Sequence, residues 1–337
     1  MAESIKTVGL NKTYDNFQAW EDDADDNSTT GTPWWAEFYS GADLGALIIA
    51  GWSDPPTAEA HRIKLYVASG HQHNGISGGA TSSSTASATL IDLEMSFVTL
   101  DGLHADQNAT GTNDFDILMG NADVEGTTVE RCLIKSVGGY CVISTGGGGA
   151  SHNIRNNIMI NGGAGAVCKI QAGSTHPVFN VYHNIFTGAG SGGYQHYGIQ
   201  SSTTKGGLVT MVVENNISFD NDDGDYALAG TSITANNNIS SDATADDDGG
   251  AGHQIDVDVD DIFVDPDNGD FTPKSSSPAR HAGKTISAVT VDILGTSRES
   301  GYPYDVGAIS YVNCAMSGLS AMSGSLTPTS AQEQMMG

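Results

Sequence analysis

Four side chains hold the same place in a recurring pattern and carry groups that bind sugars. Glu130, Arg155, Tyr182 and Glu214 each stand three residues before an apolar anchor, at Leu133, Ile158, Ile185 and Ile217. Carboxylates and a guanidinium bond to hydroxyls, and an aromatic ring adds a flat apolar face. A line of such groups suits a sugar chain, and the same line equally suits a cross-strand ion-pair ladder that balances itself and binds nothing. The acidic run HQIDVDVDDIFVDPDNGD raises a second chemistry. Asp256, Asp258 and Asp260 alternate with Ile255, Val257 and Val259, so on a strand the three carboxylates share one face. There they repel unless they are solvated or bridged by a hard cation such as calcium. His61, His71 and His73 show no zinc-site spacing. Cys132, Cys141, Cys168 and Cys314 match no metal-ligand pattern either and are expected as buried thiols.

The elements that must carry these groups are legible in the repeat. Aligned on Leu103, Leu133, Ile158, Ile185, Ile217 and Ile239, the chain repeats every 22 to 32 residues, the mark of a solenoid with loops of variable length. Four residues before the anchors stand Thr99, Val129, Ile154, Val181, Val213 and Ala235, and six before stand Phe97, Thr127, His152, Phe179, Met211 and Ile233. That period of two belongs to a strand with one buried face. Lys135 falls in a column with Ala105, Ile160, Thr187 and Phe219, read as a corner or interior position. Immediately before the anchors come Gly102, Cys132, Asn157, Asn184, Asn216 and Asn238. The alternation breaks there, so the chain bends, and Asn and Gly accept a left-handed backbone. Bends stacked at the strand spacing of about 4.8 Å let the amides of Asn157, Asn184, Asn216 and Asn238 bond as a ladder. The expected fold is all-β, a parallel β-solenoid.

The segment FVTLDGLHAD, the Asn-Ile motifs and the closing stretch VDDIFVDPDNGDFTPKSSSPARHAG…YPYDVGAIS together resemble the right-handed parallel β-helix proteins of the pectate-lyase-like superfamily, over about residues 40–311. The resemblance implies three short strands per coil with a stacked Asn bend. For a lyase of that superfamily it implies a Lys or Arg base, usually with calcium, for which Lys135 and Arg155 are the candidates. For a hydrolase it implies grouped carboxylates, and Asp101, Asp220, Asp222, Asp223 and Asp225 are available. No column of the repeat singles out a pair of them.

The expected organisation is an N-terminal cap at 1–40, a β-helix at 41–311 with a closing segment from about 255, and a C-terminal tail at 312–337. Tyr14, Phe17 and Trp20 are spaced for one face of a short capping helix. The tail repeats AMSG and is rich in Met, which adapts to irregular apolar grooves, so a docking arm is expected there. With 40 acidic against 13 basic residues the net charge is −27, which excludes nucleic-acid and anionic-membrane partners. Neither a signal segment nor an apolar span stands out. These features lead to the expectation of a non-enzymatic structural or attachment protein of a bacteriophage virion, made in the cytoplasm. It is expected to be a homo-oligomer, a trimer by analogy, to join other virion proteins through its tail, and to bind a cell-surface glycan. The alternative is a polysaccharide lyase or glycoside hydrolase.

Overall fold

The computed structural model describes residues 4–312, apart from 28–32, 42, 53–54, 87, 109–114, 120–123, 146–150, 164, 172–176, 189, 191–194, 203–208 and 231. Three parallel sheets of nine, seven and seven strands wind along one axis. A typical coil runs from Ser151–Arg155 on the first sheet through Ile158–Asn161 on the second to Cys168–Gln171 on the third. It then enters the next coil at Val178–Tyr182. Val129, Ile154, Val181 and Val213 from the first sheet, Ile134, Met159 and Phe186 from the second, and Ile117, Val142 and Ile199 from the third fill the interior. This is a parallel β-helix. No described helix is long and apolar enough to cross a membrane.

The bend between the first two sheets divides its work between two adjacent residues. The left-handed backbone falls on Gly102, Arg131, Asn156, His183, Asn215 and Asn237, with φ between 52° and 82°. That is one position earlier than the sequence pattern suggested. The next residue carries the amide ladder, in which Asn157 Nδ2 donates to Asn184 Oδ1 at 3.0 Å, Asn184 to Asn216 at 3.0 Å and Asn216 to Asn238 at 3.1 Å. Each ladder oxygen also accepts the backbone N–H of the equivalent residue one coil before, Cys132 for Asn157 and Asn for the others, and each amide nitrogen also donates to a first-sheet carbonyl. All four amides are buried, and each both donates and accepts, as burial in an apolar core requires. His253 continues the stack beyond Asn238, accepting its backbone N–H at 3.3 Å.

Two sequence expectations are corrected here, and the side that the anchors face is new. In the early coil the anchor is His104, not Leu103, because His104 pairs with Leu133 and Leu100, not Thr99, pairs with Val129. Gly102 holds the left-handed bend, so the register follows the bend rather than the nearest large apolar residue. The anchors themselves face away from the solenoid interior. Leu133, Ile158, Ile185, Ile217 and Ile239 form a second core with Ile262, Phe263, Phe271, Ile293, Val306, Ala308 and Ile309 of the closing segment. Lys135 also faces outward, its Nζ donating to the Ile76 carbonyl at 2.7 Å.

The closing segment returns along this side. Asn237 Nδ2 donates to the Ala282 carbonyl, Asn215 Nδ2 to that of Lys284 and Asn156 Nδ2 to that of Val291. Beyond a turn, buried Arg298 donates to Asn156 Oδ1 at 2.7 Å and to the Gly307 carbonyl at 3.0 Å. The left-handed column therefore fastens the closing segment, while the ladder column fastens coil to coil.

At the other end the helix Phe17–Asn27 covers the interior with Phe17, Trp20 and Ala24, all buried. Phe17 packs edge-on to Phe38 at 4.5 Å, and Trp52 donates to the buried Glu21 carboxylate at 2.7 Å. Tyr14 lies before the helix, bridged to Val8, and the strand Ser4–Val8 precedes both as the first strand of the first sheet. Cys132, Cys141 and Cys168 are buried free thiols; Cys314 and the arm at 313–337 lie outside the described residues.

Candidate functional site

The first sheet brings Glu130, Arg155, Tyr182 and Glu214 into one cross-strand row, extended by Asp101 and Asn236. Its charges are spent on each other. Arg155 Nε donates to Glu130 at 2.7 Å and its Nη1 to the Ala288 carbonyl at 2.8 Å. Glu214 is buried and takes Lys284 Nζ and Asn236 Nδ2, each at 2.9 Å. Asp101, also buried, takes both forks of Arg131. Burial and the Glu214 charge push the Tyr182 hydroxyl up. Glu214, expected to face outward into solvent, instead sits beneath Lys284 of the closing segment.

The acidic run does not lie along one strand. Asp256 takes a left-handed backbone, Asp258 caps the helical turn Val259–Ile262 through Asp260 N, and Asp260 lies in its first turn. The three aspartates therefore do not share a strand face. Among the described residues no three Asp, Glu, His or Cys side chains converge on a metal position. Two of the other expected carboxylates, Asp225 and Asp223, are likewise engaged. Asp225 accepts from Asn221 and from Ser241, and burial pushes its carboxyl up to about 6. Asp220 holds a left-handed turn, and Asp223 lies 3.4 Å from His196.

The third sheet differs, and its strands lack the bend motif that organised the sequence alignment. Ile48, Asp92, Leu118, Ile143, Lys169, Gln200 and Ala227 form its outward row. Beside them Tyr140, Ala166 and Tyr197 join Ile143 and Leu118 in an apolar patch. Lys169 Nζ lies over the Tyr140 ring, 4.9 Å from its centre and 3.2 Å from its hydroxyl. At the last coil this face opens into a cleft of about 440 Å³, lined by Gln195, Tyr197, Gln200, Ser202, Asp247 and Asp248 among others. Gln200 Nε2 donates to Gln195 Oε1 at 2.5 Å, which aligns the two amides. Asp247 and Asp248 follow the turn Thr244–Asp246, which takes the place of a further strand. Asp242 caps that turn by accepting from Thr244, and Thr244 Oγ1 accepts the N–H of Tyr226. Burial and the neighbouring Asp247 charge push the Asp248 carboxyl up. A ring, two amides, hydroxyls and two carboxylates around an open cleft can bind several hydroxyls of an extended ligand. The legible signal in the sequence was a short apolar run opened by tyrosine, YCVIS after Leu133 and YGIQ after Ile185.

No protein-family model and no curated protein matches the sequence. Among solved structures the chain is similar to pectate lyase Pel9A, with a TM-score of 0.51 and 10% identity over 92% of this chain and 98% of that one. It is also similar to the pectin methylesterase from Aspergillus niger, with a TM-score of 0.39 and 14% identity over 76% and 86% of the two chains. The first likeness spans nearly the whole of both molecules and shows the architecture to be a right-handed parallel β-helix.

Proposed function

We propose that the chain is a glycan-binding attachment protein that holds a sugar chain in the third-sheet cleft. The observation that carries this reading is the cleft of about 440 Å³ in which Tyr197, Gln195, Gln200, Asp247 and Asp248 converge. Carbohydrate sites combine an aromatic face with planar amide and carboxylate groups, because a sugar has both apolar ring faces and many hydroxyls. The name of the similar structure, a pectate lyase, accords with a polysaccharide ligand. The net charge of −27 disfavours an acidic one. The attachment context, a bacteriophage particle engaged through the Met-rich segment 312–337, is part of the same proposal and rests on the composition of that segment.

The test is glycan-array and calorimetric binding with the full chain. Tyr197→Ala and Gln200→Ala are expected to weaken binding at least tenfold, whereas Arg155→Ala on the first sheet leaves it unchanged. Binding lost only in Arg155→Ala would move the site to the first sheet and sink the reading. A second reading, hydrolysis in the same cleft, is favoured by the raised carboxyl of Asp248 beside Asp247, a pairing that suits acid and carboxylate roles. Release of reducing ends by the wild-type chain, abolished in Asp248→Asn with binding retained, selects it.

A further inference from the structure

We propose that the third-sheet cleft selects glycans that carry free amino groups, that is, polymers of de-N-acetylated hexosamine. The inference rests on the glycan reading of that cleft and specifies its ligand. Among the described lining residues the only side chains charged at neutral pH are Asp247 and Asp248. The surrounding chain is strongly acidic, with only 13 basic residues in all. One cation, Lys169, does occupy the strand position beside Gln200, but its ammonium is bonded to the Tyr140 hydroxyl. His253, the imidazole near Asp248, is bonded to the Ala235 and Gly249 carbonyls.

The carboxylates are not the whole site. Tyr197 provides the ring against which a pyranose stacks, and the aligned Gln195–Gln200 amides can bond its hydroxyls. An ammonium on that sugar meets Asp247 and Asp248 with three donors, where a hydroxyl brings one and a uronate brings repulsion. Burial and the Asp247 charge push Asp248 up, and a cation bound beside the pair offsets that charge. The cleft therefore contributes discrimination through charge and recognition of the ring through stacking and amides.

The experiment titrates the full chain with three defined oligosaccharides of equal length, built of glucosamine, N-acetylglucosamine and galacturonic acid, at low and at physiological salt. The expected result is glucosamine binding at least tenfold tighter than N-acetylglucosamine, weakening with salt, and no detectable galacturonate binding. In Asp247→Asn/Asp248→Asn that preference collapses to within about twofold while N-acetylglucosamine binding persists, and Tyr197→Ala weakens both. Far-ultraviolet circular dichroism checks that each variant is folded. Equal binding of the amine and acetamide oligomers overturns the amine selectivity and leaves the glycan reading standing. Oligolysine binding as tightly as the glucosamine oligomer overturns it as well, by making the site a general polycation acceptor. Lys205 stands three residues beyond Ser202 in the sequence, and galacturonate binding that is lost in Lys205→Ala also overturns the proposal. Binding of no oligosaccharide at all removes the glycan reading itself.

Discussion

The bend side and the third-sheet face of this β-helix are built from the same coils and end up chemically opposite. On the bend side the anchors are covered by the closing segment, and Glu130, Arg155, Glu214, Lys284, Asp101 and Arg131 are paired with one another. On the third sheet, Lys169, Tyr197, Gln200, Asp247 and Asp248 line or flank an open cleft. Charged residues in register are thus no guide to a site by themselves. Where a chain lays a second layer over a sheet, its charges become fasteners.

Removing the cover breaks the comparison with the largest effect. A chain ending at Gln254 loses every closing-segment member of the second core and exposes Leu133, Ile158, Ile185, Ile217 and Ile239, each worth about 1.5–3 kcal/mol of burial. That sum is comparable to the whole stability of an ordinary domain, about 5–15 kcal/mol. The truncated chain is therefore expected to aggregate or stay unfolded by size-exclusion chromatography and circular dichroism; a soluble folded monomer would show the cover to be dispensable.

A single ladder amide has a smaller effect. Asn184→Ala leaves buried partners on both adjacent coils, the Asn157 N–H and Nδ2 on one side and Asn216 Oδ1 on the other, and also the Ile154 carbonyl. The expected cost is about 3 kcal/mol, read from the denaturant midpoint. Loss of less than about 1 kcal/mol would mean that the stacked amides do not hold the coils together.

Acid sharpens the contrast without any substitution, and with opposite signs on the two sides. On the bend side, burial pushes His73 down to about 4 and His183 well below the usual imidazole range. The unfolded chain then binds protons that the folded one refuses, so stability is lost as pH falls from about 6.5 toward 4. On the third sheet burial pushes Asp92 and Asp225 up to about 6. There the folded chain holds protons that the unfolded one has released, so stability is lost as pH rises from about 3.9 to 6. Amide hydrogen exchange, corrected for intrinsic rates, is expected to quicken around His73 and His183 on acidification through that window and to slow around Asp225. Uniform change in both regions would remove the distinction.

Much of the architecture was legible in the sequence because period-two strands and a repeated bend leave a pattern in residue type. The inward column Val129, Ile154, Val181, Val213 and the row Glu130, Arg155, Tyr182, Glu214 both follow from spacing alone. What did not follow was the side on which the anchors lie, since a buried isoleucine looks the same whether its cover is the coil or the closing segment. The early register was misread for a related reason, with Leu103 taking the eye from Gly102, whose backbone sets the bend. The cleft was hidden because Asp247 and Asp248 belong to a turn that caps the solenoid, outside any repeat.

The closing segment also acts as a ruler. Its strap from Ala282 to Val291 is tied to Asn237, Asn215 and Asn156, on three of four consecutive levels of the stack, with the His183 level between the last two. Each coil advances the axis by about 4.8 Å, and one extended residue covers about 3.3 Å. A duplicated coil bearing its own Asn-Ile bend would extend the amide ladder without penalty, yet would pull these ties out of step unless the strap gained one or two residues. The number of coils between Asn156 and Asn237 is therefore matched to the length of a segment that belongs to none of them.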